Sequence, residues 1–474
     1  TYSYDPDLAP VTGADITSEK WEGLRTLFAR RAPRFLSTAL PGLQHGRVRF
    51  VPHHLSHAAS AYLAAPNRPG AVVVLDGRGE RSSSLAGRVE ADRSCTVLAQ
   101  TQLPNSIGFV YEQLARHLGY AAGNDEYKIM ALASFGTPDA LDDFRTLVRF
   151  DGDGGFITEH IDWERFAVPG TGDGSLDPAH ANLAATVQCR LEEVELDLAF
   201  WLHDRTQARA LAVAGGVGLN CVANSRVYED GPFDDVWVQP AAGDAGTALG
   251  AACFVAHALG DDVQPMPTAA LGPAWSDDRI ETMLRDAAIA FERPDDIADA
   301  AAAVLAEDGL VAWFQGRSEF GPRALGHRSL LAHPGRAENL DRLNAVKGRE
   351  QYRPVAPMVR LERAADVFEG GPIPSPYMLF THRVRPAWRD KIPAVVHVDG
   401  SARAQTVASA DEPLVHRMLE RFEHRADLPV VVNTSLNTAG RPMVDSPRDA
   451  LECFGSAPID ALAIGPFLVR RSRS

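Results

Sequence analysis

The sequence predicts an α/β fold in two parts. In the first half, apolar strand-like runs at 210–214 (ALAVA) and 235–238 (DVWV) are each followed by a turn and a helix-forming segment. A proline- and glycine-rich stretch without periodicity, 257–275, then indicates a boundary. The second half again has buried-strand runs, here separated by loops that carry arginine. We therefore expect two domains, 1–265 and 266–474.

The remaining elements of the first half follow from periodicity. Helical spacing covers 17–37, and HGRVRFVP (45–52) is typical of a strand. Alternating apolar and polar residues in SSSLAGRVEADRSCTVLAQTQL (82–103) predict a β-hairpin. Further helices are expected within 107–120, 126–136 and 180–206.

Two histidines point to a metal site. In VPHHLSHAASAYLAA, a helix would place His53 and His57 at i and i+4, on one face. Such a pair suits a divalent metal when oxygen ligands arrive from elsewhere. Asp76 ends the apolar run AVVVLD, and Asp244 lies in the turn after DVWVQP. The alternative is a helix with surface histidines and a strand that ends in an ordinary Asp-Gly turn.

Several loops suit anionic ligands. Gly215 and Gly216 separate a strand from a helix near Asn220, and such glycines let the backbone approach a nucleotide. In the second half, guanidinium and amide groups could bind phosphate oxygens, and the alternative is a surface network of arginine with acidic residues. The residues concerned are Arg317, Arg323, His327, Arg328, Ser329, Lys347, Arg349, Arg353, Arg403, Asn433, Ser435 and Asn437.

The composition narrows the class of protein. The 474 residues carry a net charge of −15, which argues against a nucleic-acid surface. There is no apolar run near the ~18–20 residues that span a bilayer. The five cysteines show no CxxC spacing, as in a reduced, cytoplasmic protein. We expect a cytoplasmic protein that binds neither nucleic acid nor membrane.

Nine blocks in order resemble the O-carbamoyltransferase family of nodulation and antibiotic biosynthesis. The blocks are HHLSHAASAY, VVVLDGRGE, NDEYKIMALASFG, AGGVGLNCVAN, GDAGTALGAA, FQGRSEFGPRALGHRSLLAHP, VKGREQYRPVAPMV, HVDGSARAQTV and NTSLNTAGRPMV. The resemblance implies an α/β protein with an actin-like (ASKHA, Kae1-type) N-terminal domain, here lacking its first hairpin, and a YrdC-like α/β C-terminal domain.

The resemblance also implies a chemistry. The C-terminal domain would make carbamoyladenylate from ATP, with Mg(II), and carbamoyl phosphate. Lys347, Arg349, Arg353 and Arg403 would act there as catalytic residues. The N-terminal domain would pass the carbamoyl group to a small-molecule hydroxyl acceptor. Its metal would be held by His53, His57, Asp76 and Asp244, and among Fe(II), Mn(II) and Zn(II) the resemblance favours iron.

Two other functions stay open at this point. One is threonylcarbamoyl transfer to tRNA, and the other is nucleotide binding without catalysis. Family members usually begin with a hairpin that carries a His-Asp pair, and no residue of this sequence matches that pair. Either the sequence is a fragment or the hairpin has been lost, so the residue that activates the acceptor is not assigned. A homodimer is a further possibility.

Overall fold

The computed structural model describes residues 3–9, 21–40, 42 and 48–471. These residues form two compact units. The first contains the described residues up to Ile129, together with Thr137–Thr171 and Asn182–Pro267. The second contains Met130–Gly136, Gly172–Ala181 and the described residues from Thr268 onward. The functional assignment of 1–265 and 266–474 as two domains stays a prediction.

The first unit is built on a five-stranded sheet in the order β3-β2-β1-β6-β7. Strand β1 lies at its centre, pairs antiparallel with β2 and parallel with β6, and is buried along its whole length. This explains its uninterrupted apolar sequence. The strands of this unit are β1 (Ala71–Leu75), β2 (Ser84–Val89), β3 (Cys95–Ala99), β4 (Val148–Phe150), β5 (Phe156–Thr158), β6 (Ala210–Ala214) and β7 (Asp235–Val238).

Helices cover much of the chain before residue 268. They are α1 (Trp21–Ala39), α2 (His53–Tyr62), α3 (Ile107–His117), α4 (Glu126–Ala133), α5 (Leu141–Leu147), α6 (Pro178–Thr206), α7 (Cys221–Asp230) and α8 (Ala245–Ala258). Helix α2 buries Ala58, Tyr62 and Leu63 against Val72 and Val74 of the sheet. This apolar contact fixes α2 on the sheet and with it the histidines of its first turn.

Apart from the strand 45–52, the predicted elements of the first half are confirmed where the structure describes them. The hairpin 82–103 is β2 and β3, and the predicted long helix is α6. The predicted helix at 17–37 is seen from Trp21, since 10–20 lie outside the described residues. The predicted strand 45–52 is wrong over its described part, since 48–52 form no strand and only Phe50 is a β-bridge residue, and residues 45–47 lie outside the described ranges. The expectation that the N-terminal domain lacks its first hairpin likewise stays a prediction.

The second unit has a seven-stranded mixed sheet in the order β14-β10-β15-β9-β8-β16-β17, and a small sheet β11-β12-β13. The strands are β8 (Val311–Phe314), β9 (Arg328–Ala332), β10 (Ala356–Arg360), β11 (Phe368–Glu369), β12 (His382–Val384), β13 (Ser401–Ala402), β14 (Gln405–Val407), β15 (Val430–Ser435), β16 (Ala461–Ile464) and β17 (Phe467–Arg470). Strand β15 is central, and its residues Val430–Val432 are fully buried.

Seven helices of this unit are described. They are α9 (Asp277–Asp286), α10 (Ile297–Ala306), α11 (Glu338–Val346), α12 (Leu361–Val367), α13 (Pro386–Arg389), α14 (Pro413–Ala426) and α15 (Pro447–Ser456). One apolar core that includes Trp313, Phe314 and Phe422 holds the large sheet and its helices together. The α/β class is thus confirmed in both units. Within the described ranges, no helix is long and apolar enough to cross a membrane.

Candidate functional site

Helix α2 carries two of the four predicted metal ligands, a third directly precedes α8, and the two helices pack closely. Gly250 of α8 faces the backbone of α2, and a Cβ atom there would overlap the carbonyl oxygen of Ser56. One turn earlier, a Cβ atom at Gly246 would overlap the carbonyl oxygen of Ala241 and would lie 3.6 Å from Ser60 Oγ. Only small residues permit this approach of two backbones. The contact brings Asp244, directly before α8, to the histidines at the start of α2.

The structure brings His53, His57, Asp76 and Asp244 together. One ligand atom from each lies within 4.8 Å of the others. The Nε2 atom of His53 is 3.3 Å from Asp76 Oδ2 and 3.3 Å from Asp244 Oδ1. The Nε2 atom of His57 is 3.7 Å and 3.5 Å from the same two oxygens. Two imidazole nitrogens from α2, one carboxylate oxygen from the residue after β1 and one from the residue before α8 therefore converge.

The charges of this group are strongly coupled. Burial of His53 opposes its protonation, but hydrogen bonding to Asp244 and Asp76 outweighs burial and raises the pKa of the imidazole to about 10. Burial would raise the pKa of Asp76, yet the neighbouring histidines hold it well below its ordinary value. His53 and then His57 also lower the pKa of Asp244. Both carboxylates are thus ionised at neutral pH.

The donor set fits a divalent metal ion. Both Nε2 atoms are buried and have no hydrogen bond of normal geometry to any described residue. Buried polar atoms without such bonds are costly unless another group satisfies them. The Nδ1 atom of His53 lies 3.1 Å from the carbonyl oxygen of Ser3, a contact that turns Nε2 toward the carboxylates. A mixed set of imidazoles and carboxylates suits Fe(II), Mn(II) or Zn(II).

The predicted nucleotide loop of the first half lies against Asp76. The N–H of Gly216 donates to Asp76 Oδ1 at 3.2 Å. Gly215 has φ of 93°, and a Cβ there would overlap the carbonyl of Leu75. Asn220 begins α7, where its Oδ1 accepts the N–H of Ala223 at 3.1 Å. The two glycines therefore position Asp76, and nucleotide binding by this loop stays a prediction.

In the second unit, Lys347 joins two predicted site residues. It directly follows α11, and its Nζ donates to the Ser435 carbonyl oxygen at 2.6 Å, to Ser435 Oγ at 2.9 Å and to Asn437 Oδ1. Burial, and then the positive charges of Arg349 and Arg353, lower its pKa to about 7. These five residues therefore form a half-buried cluster around Lys347 at the end of β15, to which Arg349 and Arg353 add positive charge.

The other predicted arginines differ in what they contact. Arg349 Nε donates to Asn344 Oδ1 at 2.6 Å, and Arg353 lies 3.5 Å from Glu350. The Nε atom of Arg403 is buried without a hydrogen-bond partner among the described residues. Arg317 donates to the carbonyl oxygen of Leu271. Arg323, which was predicted in the same loop, is half-buried.

Hydrogen bonds within the segment 315–329 stabilise its conformation. Arg328 is fully buried, donates to the carbonyls of Gln315, Gly316 and His327, and lies 3.7 Å above the ring of Phe314. These contacts stabilise the loop, because the guanidinium donates to backbone carbonyl oxygens. The sequence had suggested phosphate binding for Arg328, and that role stays a prediction.

Glu319 was missed from the sequence. Its Oε1 accepts the backbone N–H groups of Leu325, His327 and Arg328 at 2.7–3.1 Å. His327 also contacts Glu412, which raises its pKa against the effect of burial. Further internal bonds join Ser329 Oγ to the N–H of Gly326, and Asn433 Nδ2 to Ala324 and Gln405. No local sequence pattern predicts that an acidic side chain will accept backbone N–H groups six to nine residues further along the chain.

Comparison with known proteins identifies the family. The model described as Carbamoyltransferase N-terminus matches residues 37–253, and Carbamoyltransferase C-terminus matches 302–471. Nodulation protein NolO of Bradyrhizobium diazoefficiens is 38% identical over 441 residues, which cover 88% of this chain and 78% of that protein. Nodulation protein NolNO of Sinorhizobium fredii is 37% identical, over 90% of this chain and 64% of that one.

Among solved structures, the crystal structure of T. kodakarensis HypF is 16% identical, with a TM-score of 0.27, over 52% of this chain and 44% of that one. That TM-score is too low to support an argument. The resemblance to the nodulation branch is confirmed, while a link to antibiotic biosynthesis stays a prediction. With both halves of the family model matched in order, the chain belongs to the carbamoyltransferase family.

Proposed function

We propose that this protein is an ATP-dependent O-carbamoyltransferase that works through carbamoyladenylate. Carbamoyl phosphate is hydrolysed to carbamate and phosphate. An oxygen of carbamate then attacks the α-phosphorus of ATP, held with Mg(II), and displaces pyrophosphate. Finally, the hydroxyl of a small molecule attacks the carbamoyl carbon. AMP leaves with the electrons of the broken C–O bond, and the hydroxyl proton passes to solvent.

The cluster around Lys347 is the observation that carries this proposal. Lys347 contacts Ser435 and Asn437 at a strand end, and the charges of Arg349 and Arg353 act on its ammonium group. Burial and, after it, the charges of the two arginines lower the pKa of Lys347, and an anionic ligand would offset both effects. ATP and carbamate are such ligands. Preorganised cationic donors stabilise the charge that develops on the transferring phosphoryl group.

The group of His53, His57, Asp76 and Asp244 supports the transfer step. These residues would hold the metal, which the family resemblance suggests is Fe(II). A bound divalent metal supplies Lewis-acid polarisation and an anchor for oxygen groups of the adenylate. The neighbouring glycine loop contributes the N–H of Gly216 to the same corner of the sheet.

Labelled substrate tests the proposal. The full chain is incubated with ATP, Mg(II) and carbon-14-labelled carbamoyl phosphate, with and without a panel of hydroxyl compounds. We expect AMP and pyrophosphate in equal amounts. We also expect the carbon-14 label in an acid-resistant product that forms with one class of hydroxyl acceptor. ADP as the nucleotide product would contradict the proposal. Threonylcarbamoylated tRNA as the product would support the alternative function instead.

A further inference from the structure

We propose that His54 is a positioning residue, which holds the carboxylate of Asp76 in place for the metal. This inference rests on the metal site proposed above. His54 lies between the two histidine ligands in sequence, on α2, and is 2% exposed. It is not one of the four residues whose ligand atoms converge.

The two ring nitrogens of His54 have different surroundings. Nδ1 lies 2.9 Å from the hydroxyl oxygen of Ser82. When that hydroxyl donates to Nδ1, the ring proton is on Nε2. Nε2 is buried, has no hydrogen bond to a described residue, and is 3.6 Å from Asp76 Oδ2. This carboxylate oxygen is therefore the acceptor toward which the proton of Nε2 is directed.

Asp76 then has a contact on each oxygen. Oδ1 accepts the N–H of Gly216 at 3.2 Å, and Oδ2 faces His54 as well as the two histidine ligands. A carboxylate oxygen has two lone pairs, so Oδ2 can accept a hydrogen bond and still bind a metal. Hydrogen bonds of this kind orient a ligand and tune the bound ion.

The geometry argues against His54 as a fifth ligand. Its ring centre is 6.4 Å from that of His57, whereas the rings of His53 and His57 are 4.7 Å apart. His53 and His57 each contact both carboxylates within 3.7 Å, and His54 has such a contact with Asp76 alone. His54 thus contacts the group of four ligands through Asp76 and not through Asp244.

Ser82 fixes the other side of the imidazole. It is 7% exposed, and a β-bridge to Gln102 holds its backbone. Its carbonyl oxygen accepts the N–H of Gly79 at 2.7 Å, which closes the turn after Asp76. The chain Ser82–His54–Asp76 is therefore anchored to the sheet at both ends. In the proposed role, an Nε2–H···Oδ2 hydrogen bond formed across the present 3.6 Å separation would give the Asp76 side chain one orientation.

Cobalt binding tests this role without reliance on catalysis. Co(II) affinity of the full chain is measured by competition with a chelator, and the visible absorption of bound Co(II) is recorded. We compare wild type with His54→Ala, His54→Gln, Ser82→Ala and His57→Ala. We expect His54→Ala to bind one Co(II) about 10–100-fold more weakly, with an altered spectrum. His54→Gln, whose amide N–H can replace Nε2–H, should recover most of that loss.

The other outcomes are distinct. An affinity for His54→Ala within twofold of wild type, with the same spectrum, overturns the proposal. Complete loss of Co(II), as expected for His57→Ala, would make His54 a ligand and also overturns it. Failure of His54→Gln to recover affinity assigns the effect to packing, which melting temperatures of the metal-free variants would show. Wild type that binds no Co(II) refutes the metal site itself, and with it this inference.

Discussion

The carbonyl oxygen of Ser56 on α2 occupies the position that a side chain at Gly250 on α8 would need. These two helices hold His53, His57 and the loop residue Asp244, which come from parts of the chain almost two hundred residues apart. The arrangement of the proposed metal site therefore depends on a glycine that contacts no ligand.

Gly250→Ala should separate α2 from α8. Since the Cβ atom would overlap backbone, the helices must move, and we expect a lower melting temperature and at least tenfold weaker metal binding. Gly455→Ala in α15 is the matched control, because a Cβ there meets no atom within 4 Å. It should keep or slightly raise stability, as alanine favours helix over glycine by about 1 kcal/mol. Equal effects of both substitutions would contradict the packing argument.

Loss of a metal ligand should separate adenylate formation from carbamoyl transfer. His57→Ala and Asp244→Ala each remove one of four donors, so metal content by elemental analysis should fall to near zero. Carbamoyl transfer should be abolished, while pyrophosphate release, which we assign to the residues around Lys347, should persist. A His57→Ala protein that keeps one metal per chain, or loses pyrophosphate release equally, would show that the site has been misassigned.

Lys347 should make stability depend on pH. Its pKa is about 7 in the folded protein because of burial and the charges of Arg349 and Arg353, against about 10.4 in an unfolded chain. Between these values the unfolded state binds one more proton, so stability rises with pH across this window, by up to about 1.4 kcal/mol per pH unit. Below pH 7 both states are protonated and the contribution no longer changes.

Comparison with Lys347→Met isolates this contribution. The stability of the variant relative to wild type, measured by urea unfolding, should be greatest near pH 7 and decline toward pH 10. Other titrating groups cancel in the difference. A difference that stays constant from pH 7 to pH 10 would mean that the three acceptors around Nζ keep Lys347 fully charged.

Arg353 should act on the adenylation step. Arg353→Ala removes a preorganised cation, which should cost about 2–4 kcal/mol of transition-state stabilisation, or roughly 30–1,000-fold in kcat/KM for pyrophosphate formation. Arg448→Ala is the control, because Arg448 is an exposed arginine that pairs with Glu452 four residues on. Such surface pairs contribute little, so activity should be unchanged. Comparable losses for both variants would argue against a specific role for Arg353.

Local patterns predicted the elements and the candidate metal residues. The i, i+4 spacing of His53 and His57 lies within one helix, and Asp76 directly follows an apolar strand. Both are features of a few neighbouring residues. That Asp244 meets His53 depends on strand order and helix packing, which no local pattern contains, and the predicted ligand set came from family resemblance.

The contacts of the candidate anion-binding residues were less predictable. Arg328 and Lys347 are both basic residues near glycine, yet one donates to carbonyls of its own loop and the other lies beside Ser435 and Asn437. Their sequence contexts do not separate these outcomes, because the partners of Lys347 lie 88 and 90 residues away and those of Arg328 are set by the folding of its own loop. Glu319 escaped notice for the same reason, since its acceptor role appears only once the loop is folded.

The fate of ATP tests the proposed reaction most directly. The full chain is incubated with ATP labelled at the α-phosphorus, with and without carbamoyl phosphate and in the absence of any acceptor, and products are separated under conditions that preserve mixed anhydrides. We predict labelled carbamoyl-AMP and an equal amount of pyrophosphate only when both substrates are present. Labelled ADP, or pyrophosphate release that does not depend on carbamoyl phosphate, would contradict the proposed mechanism.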